Sequence, residues 1–299
     1  QTGFFINKAN AGMGGGGMGG GGCGGGGCGG GGGDSSTVID PPVGSLFKDP
    51  PEIEYVNKGL GLVEANVEAR IAPINVNGVK ANLMTYNGCY PGPTIRIRKG
   101  DILKIHLKNS LPKTTATNLL GYRKNVTNLH THGFHVSPEK WADYVMYDLM
   151  PGETQDHEYD SSMHEAGTLN FYHPHKHGVS AEQYWAGLCG ALVTEDETTV
   201  LKDYETHIMI LKDITLSGSN PAPHSTMMDY MHGKEGNIVM VNGQVNPRLY
   251  TKTGQIQRWR ILNASSARFY RLSLENHTFF LIGTDGGLLD QPYLQSEIL

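Results

Sequence analysis

Along much of this chain apolar residues recur at every second position, and no long stretch repeats at helical spacing. Val63, Ala65, Val67, Ala69 and Ile71 alternate with Glu64, Asn66, Glu68 and Arg70. Leu103, Ile105 and Leu107 alternate with Lys104, His106 and Lys108. Successive side chains of a strand point to opposite faces, so a period of two describes strands with one face in a core and the other in water. Shorter strands are predicted at His207–Leu211, Asn237–Val241, Gln257–Leu262 and Phe269–Leu274. Turn signals separate them: Asn87-Gly88, Pro91-Gly92-Pro93, Lys99-Gly100-Asp101, Pro151-Gly152 and Asn242-Gly243. Many short strands with frequent turns specify an all-β sandwich or barrel.

The 299 residues give room for two domains. Folded sequence is expected from about residue 45, with a break near 195–200 where the strand Ala191–Thr194 runs into acidic residues and threonines. The expected divisions are therefore 1–44, 45–197 and 198–299. Within the first, residues 12–33 are glycine except for Met13, Met18, Cys23 and Cys28, which recur every five residues. Such a tract buries too little surface to offset its ordering entropy and reads as a disordered tether. The alternative is an arm of soft thioether and thiolate ligands for Cu(I).

A formal charge of −5 gives no footing for nucleic acid or an anionic membrane as partner. No run of 18 apolar residues exists, so no membrane span is read. Gln1–Asn10 lack a charged stretch followed by an apolar core, so no signal peptide is read either. Four cysteines, two of them in the glycine tract, describe no disulfide framework.

Two histidine pairs carry the chemistry: His130-Thr131-His132-Gly133 and Tyr172-His173-Pro174-His175-Lys176-His177-Gly178. Residues i and i+2 of a strand share a face roughly 6–7 Å apart. Pro174 favours extended backbone before it, and Gly133 and Gly178 allow close approach. Two facing pairs would bring four imidazoles into one small volume, more than a single structural ion needs and suited to a cluster of redox metal ions. A separate patch, His224, Met227, Met228, Met231 and His232, fits a short amphipathic helix whose methionines pack onto the sandwich; a Cu(I)-binding loop is the alternative reading.

With the histidine pairs on strands, the chain resembles the laccase-type multicopper oxidases of the cupredoxin superfamily. The resemblance runs over about residues 55–299. It is carried by Tyr86-Asn87-Gly88, Pro91-Gly92-Pro93-Thr94-Ile95, Asn128-Leu129-His130-Thr131-His132-Gly133 and Phe171-Tyr172-His173-Pro174-His175. Further matching blocks are Gly187–Val193, Val241–Gln244, Arg258–Ala264 and Gly283–Gly287. It implies consecutive cupredoxin-like Greek-key β-sandwiches, the second incomplete. It also implies a copper-dependent oxidase that couples oxidation of phenolic, aromatic or metal-ion donors to four-electron reduction of dioxygen to water. By motif position His130 resembles a type 2 copper ligand, His132 and His173 ligands of one type 3 copper, and His175 a ligand of the other. Asp143 lies where the family has an acidic residue beside the cluster, for proton delivery or for holding copper-bound water. His135 and His177 fall at positions the family does not use. A secreted, extracellular or periplasmic location follows from the same resemblance.

The family's remaining cluster histidines and its type 1 blue copper come from a further C-terminal domain bearing a His-Cys-His motif, which this sequence does not contain. The expectation is an N-terminal portion that supplies half of a trinuclear copper site, inactive alone and needing that domain in cis or in trans. A copper nitrite reductase would place a cysteine near the second histidine motif. A small two-domain laccase would end in the His-Cys-His domain. A zinc hydrolase would need a carboxylate base, for which only Glu165 and Glu182 lie near. A non-enzymatic copper-binding, storage or resistance protein is the rival class.

Overall fold

In the computed structural model, residues 4–8, 44–196 and 200–299 are described. Strands dominate, in the two-sheet packing that the alternation requires. In the first sandwich one sheet is ordered Tyr55–Gly59, Leu62–Val76, Ile102–Asn109, Thr154–Asp160, with Val79–Tyr86 also paired to the long second strand. That 15-residue strand serves three partners: Leu62–Ala65 pairs antiparallel with Tyr55–Gly59, Leu62–Ala69 runs parallel to Ile102–Asn109, and Ala69–Val76 pairs antiparallel with Val79–Tyr86. The Asn87-Gly88 turn closes this segment with both residues at positive φ (53° and 76°), which asparagine and glycine tolerate best.

The facing sheet is ordered Gly92–Ile97, Gly190–Thr194, Leu169–His173, His130–His132. Val63, Ala65, Val67, Ala69, Leu103, Ile105 and Leu107 point inward from the first sheet and meet Ile95, Ile97, Leu129, Tyr172 and Leu192 from the second. Both histidine pairs thus begin on adjacent strands of one sheet, the first of them its edge strand.

In the second region Glu205–Ile214 lies between Ile238–Val241 and Gln257–Asn263. Its run of apolar residues is covered on both faces, as in a fully buried strand. Ile208 and Ile210 pack on Cys189, Ala191 and Val193 of the first sandwich. Met209 and Leu211 face Val241, Tyr270 and Leu272. Between the two regions Lys212 is buried to 1 % exposure, its ammonium donating to the Tyr184 carbonyl at 2.8 Å and the Ala264 carbonyl at 3.1 Å.

Two expectations are corrected here. The segment read as a disordered arm contributes a strand, Phe4–Lys8, paired antiparallel with Tyr270–Leu274; its Phe-Phe-Ile run has strong strand propensity and finds an open sheet edge. The methionine-bearing glycine tract lies outside the described residues. The Met227–Met231 helix does form, capped by Thr226 and Asp229, yet its methionines do not pack: Met227, Met228 and Met231 are 50, 59 and 71 % exposed. Tyr230 faces inward instead, with its hydroxyl on Glu182 and its ring against His224.

Candidate metal centre

The strand His130–His132 pairs antiparallel with Leu169–His173 in the register His130↔His173, Thr131↔Tyr172, His132↔Phe171. Thr131 and Tyr172 point into the core, so His130, His132, His173 and Phe171 share the opposite face. One nitrogen from each of His130, His132 and His173 falls within 4.8 Å of the others. Strand geometry stops there: the strand ends at His173, and Pro174 begins a loop. His175 reaches the cluster from that loop because its N–H is held by Asn128 Oδ1 at 2.7 Å, with its ring 4.9 Å from that of His130. The expectation that His173 and His175 share a face of one extended strand is replaced by this loop placement, since Pro174 has no N–H to continue the ladder.

Hydrogen bonds determine which nitrogens are free. His173 Nδ1 faces the Pro174 carbonyl at 2.9 Å and so carries the proton, leaving Nε2 as a lone pair. That Nε2 lies 3.3 Å from His132 Nδ1. Two nitrogens bound tetrahedrally at about 2.0 Å to one ion would stand about 3.3 Å apart. His130 Nδ1 donates to Asp143 Oδ2 at 2.7 Å, which directs its Nε2 to the cluster. The other Asp143 oxygen accepts from the Thr131 N–H at 2.8 Å and hydroxyl at 3.1 Å. Burial works to raise the Asp143 carboxyl, but these hydrogen bonds and the neighbouring imidazole hold it below the usual carboxylate range.

Burial lowers His132 and takes His173 down to about 3, with neighbouring imidazoles adding to the effect, so both rings stay neutral and able to ligate. Phe171 stacks on both, at centroid distances of 4.5 Å to His132 and 4.9 Å to His173. Tyr184 closes the side behind His173 at 5.4 Å. Gly133 follows the first pair at φ +78°, and any Cβ there would lie 2.6 Å from Asn170 Nδ2.

The remaining histidines near the motifs stay outside. His177 turns its ring onto Tyr122 at 5.3 Å and, with Leu120, Met146 and Lys176, lines a cavity of about 460 Å³ that His175 also touches. His135 is exposed and engages His164 through its N–H. Glu165 pairs with Lys99 and Glu182 with Tyr230 and Asn118, so neither serves the histidines as a base. Cys189 is buried among apolar side chains and Cys89 sits in a turn. Asn128, which holds His175 in place, was missed by sequence reasoning; its only signal was its place two residues before His130.

Two family models, both described as multicopper oxidase, match residues 68–199 and 195–298. The chain belongs to the multicopper oxidase family. It is 33% identical over 225 residues to the multicopper oxidase mco of Staphylococcus aureus, covering 73% of this chain and 46% of that one. It is 28% identical over 257 residues to the cell division protein FtsP of Gallibacterium anatis, covering 83% of this chain and 50% of the relative. Among solved structures it superposes on a multicopper oxidase from Campylobacter jejuni described as a metallo-oxidase, with a TM-score of 0.74 and 29% identity, covering 87% of this chain and 52% of that one. The chain spans about half the length of the curated relatives it matches. Family membership supplies the cupredoxin-like all-β fold and copper as the cofactor. The neutral imidazole donors fit that ion, although imidazole alone would also accept zinc, iron or nickel.

Proposed function

We propose that this chain supplies half of a trinuclear copper site in an oxidase that passes four electrons from a reducing substrate to dioxygen. The observation that carries the reading is the convergence of His130, His132 and His173 to within 4.8 Å, with His175 beside them, in a chain of this family. His132 and His173 would share one copper through nitrogens 3.3 Å apart, while His130 and His175 would each serve another ion. Copper bound there would supply the redox chemistry and the binding of oxygen. The protein's own part is to keep the imidazoles neutral, fix their tautomers and exclude other ligands with Phe171 and Tyr184.

Asp143 is a positioning residue in this arrangement, since both its oxygens hold His130 and Thr131. Phenols, aromatic amines and low-valent metal ions are the substrate classes, and the remaining cluster ligands and the blue copper would come from a further cupredoxin domain in cis or in trans. We assign the protein to a secreted or periplasmic setting; no helix among the described residues is long and apolar enough to cross a membrane.

The exposed Met227, Met228 and Met231 favour a second reading, a copper-binding or storage protein without turnover. Oxygen uptake by the copper-loaded whole protein decides between them. Consumption of one dioxygen per four electrons donated, lost in His132→Ala, supports the oxidase. Stoichiometric copper binding with no uptake in the presence of a phenol, an aromatic amine or Cu(I) supports storage.

A further inference from the structure

We propose that Tyr147 is a redox-active tyrosine whose proton acceptor is His157. The Tyr147 hydroxyl lies 2.8 Å from His157 Nε2. His157 is 2 % exposed, and its Nδ1 donates to the Ala142 carbonyl at 2.9 Å, so Nε2 carries the lone pair and the tyrosine is the donor. Burial lowers this imidazole, so the ring rests neutral with the Nε2 lone pair on the tyrosine hydroxyl. The tyrosine oxygen also accepts the Leu129 N–H at 3.2 Å, which places it one residue from His130.

The neighbouring aromatics single out Tyr147. Tyr86 and Tyr159 are buried with unpartnered hydroxyls. Tyr172 donates to the Pro93 carbonyl at 2.6 Å, and Tyr55 to the Arg96 carbonyl at 3.3 Å. A carbonyl is no base, and oxidising any of these phenols would leave a positive charge in the core. Tyr147 instead passes its proton to a base, so the charge rests on the His157 imidazolium rather than on a phenol radical cation. Trp141 touches Tyr147 edge-on at 5.7 Å and is 42 % exposed, which gives the pair a contact to solvent. The Lys140 ammonium lies 5.3 Å from the Trp141 ring and 4.9 Å from that of Tyr144, disfavouring a resting positive hole on either.

The step breaks the Tyr147 O–H bond. One electron goes to a one-electron oxidant, the proton goes to His157 Nε2, and a neutral phenoxyl beside an imidazolium remains. A reductant in solution returns the electron through the Trp141 edge as the proton moves back. In the working protein copper held by the paired histidines would supply the oxidising power, and this part of the role rests on the oxidase reading. The redox competence of the pair does not.

The copper-free chain separates the two. Photogenerated tris(bipyridine)ruthenium(III) serves as oxidant, and the tyrosyl signal is followed by transient absorption and by paramagnetic resonance after freezing. A long-lived neutral tyrosyl is expected, formed more slowly in D2O. Its yield should fall at least several-fold in Tyr147→Phe and in His157→Gln, and hold in Tyr159→Phe. An undiminished signal in Tyr147→Phe overturns the proposal. Loss in Tyr147→Phe with retention in His157→Gln overturns the role of the base. Should His157→Gln fail to fold, the absence of a solvent isotope effect in the unsubstituted chain overturns it equally. Failure of copper binding or oxygen uptake leaves each of these outcomes unaffected and counts only against the oxidase reading.

Discussion

His130 Nδ1 stands 2.7 Å from Asp143 Oδ2, so a single carboxylate determines which nitrogen of this imidazole is left for metal. Removing an outer-shell partner of this kind typically lowers metal affinity about 10–100-fold. Asp143→Ala is expected to weaken Cu(II) binding within that range while leaving the fold intact. Titration against a competing chelator measures the affinity, and an unchanged constant would show that the ring needs no such support.

His132 and His173 place two lone pairs 3.3 Å apart. His132→Ala and His173→Ala should therefore lower Cu(II) affinity by similar factors, and the double substitution should add little to either single one, because each removes half of the same two-nitrogen seat. Chelator competition on the three variants tests this. Fully additive losses would mean that the two rings serve different ions.

Burial holds His173 near 3, far below the ordinary imidazole value of 6.5. Between those values the unfolded chain binds a proton that the folded chain does not, so stability is complete above 6.5 and falls as pH drops toward 3. His132, His157, His164 and His224 are lowered by burial in the same direction. Urea denaturation of the copper-free chain between pH 7.5 and 4 should show the decline, and His173→Gln should flatten it by on the order of 1 kcal/mol per pH unit. An unchanged slope in that variant would contradict the buried, neutral state of His173.

Lys212 joins the two regions through the Tyr184 and Ala264 carbonyls, with its ammonium 4.1 Å from the Tyr184 ring. Lys212→Ala leaves two carbonyls short of a donor and a void behind Tyr184; the expected cost is about 2–4 kcal/mol in urea denaturation. In contrast, Met227→Ala and Met231→Ala should each cost no more than about 0.5 kcal/mol, since neither side chain is buried. A loss of several kcal/mol at either methionine would restore the packing role expected from spacing.

The all-β class was legible because Leu103, Ile105 and Leu107 alternate with charged residues, and a period of two has one structural meaning. The strand through His207–Leu211 was legible as a strand. Burial on both faces was not, because that depends on Cys189, Ala191 and Val193 lying against it from the first sandwich. The His130–His132 pair could be read from its spacing. The position of His175 could not, since Pro174 ends the strand and Asn128, distant in sequence, holds the loop. Methionines at i, i+1 and i+4 look alike whether that helix face meets the core or water, and Tyr230 decided it. The Tyr147–His157 pair left no sequence signal: the partners lie ten positions apart, on either side of the Pro151-Gly152 turn and the start of the strand Thr154–Asp160, and meet only in the fold.

The convergence of four imidazoles on copper is tested most directly in the histidine-labelled, copper-free chain. Substoichiometric Cu(II) broadens the ring resonances of the histidines nearest the ion. Those of His130, His132, His173 and His175 should disappear first and together, while His106 and His207, held by surface carboxylates, persist. Broadening that begins at His106, or at His224 and His232 beside the exposed methionines, would contradict a copper centre at the paired histidine motifs.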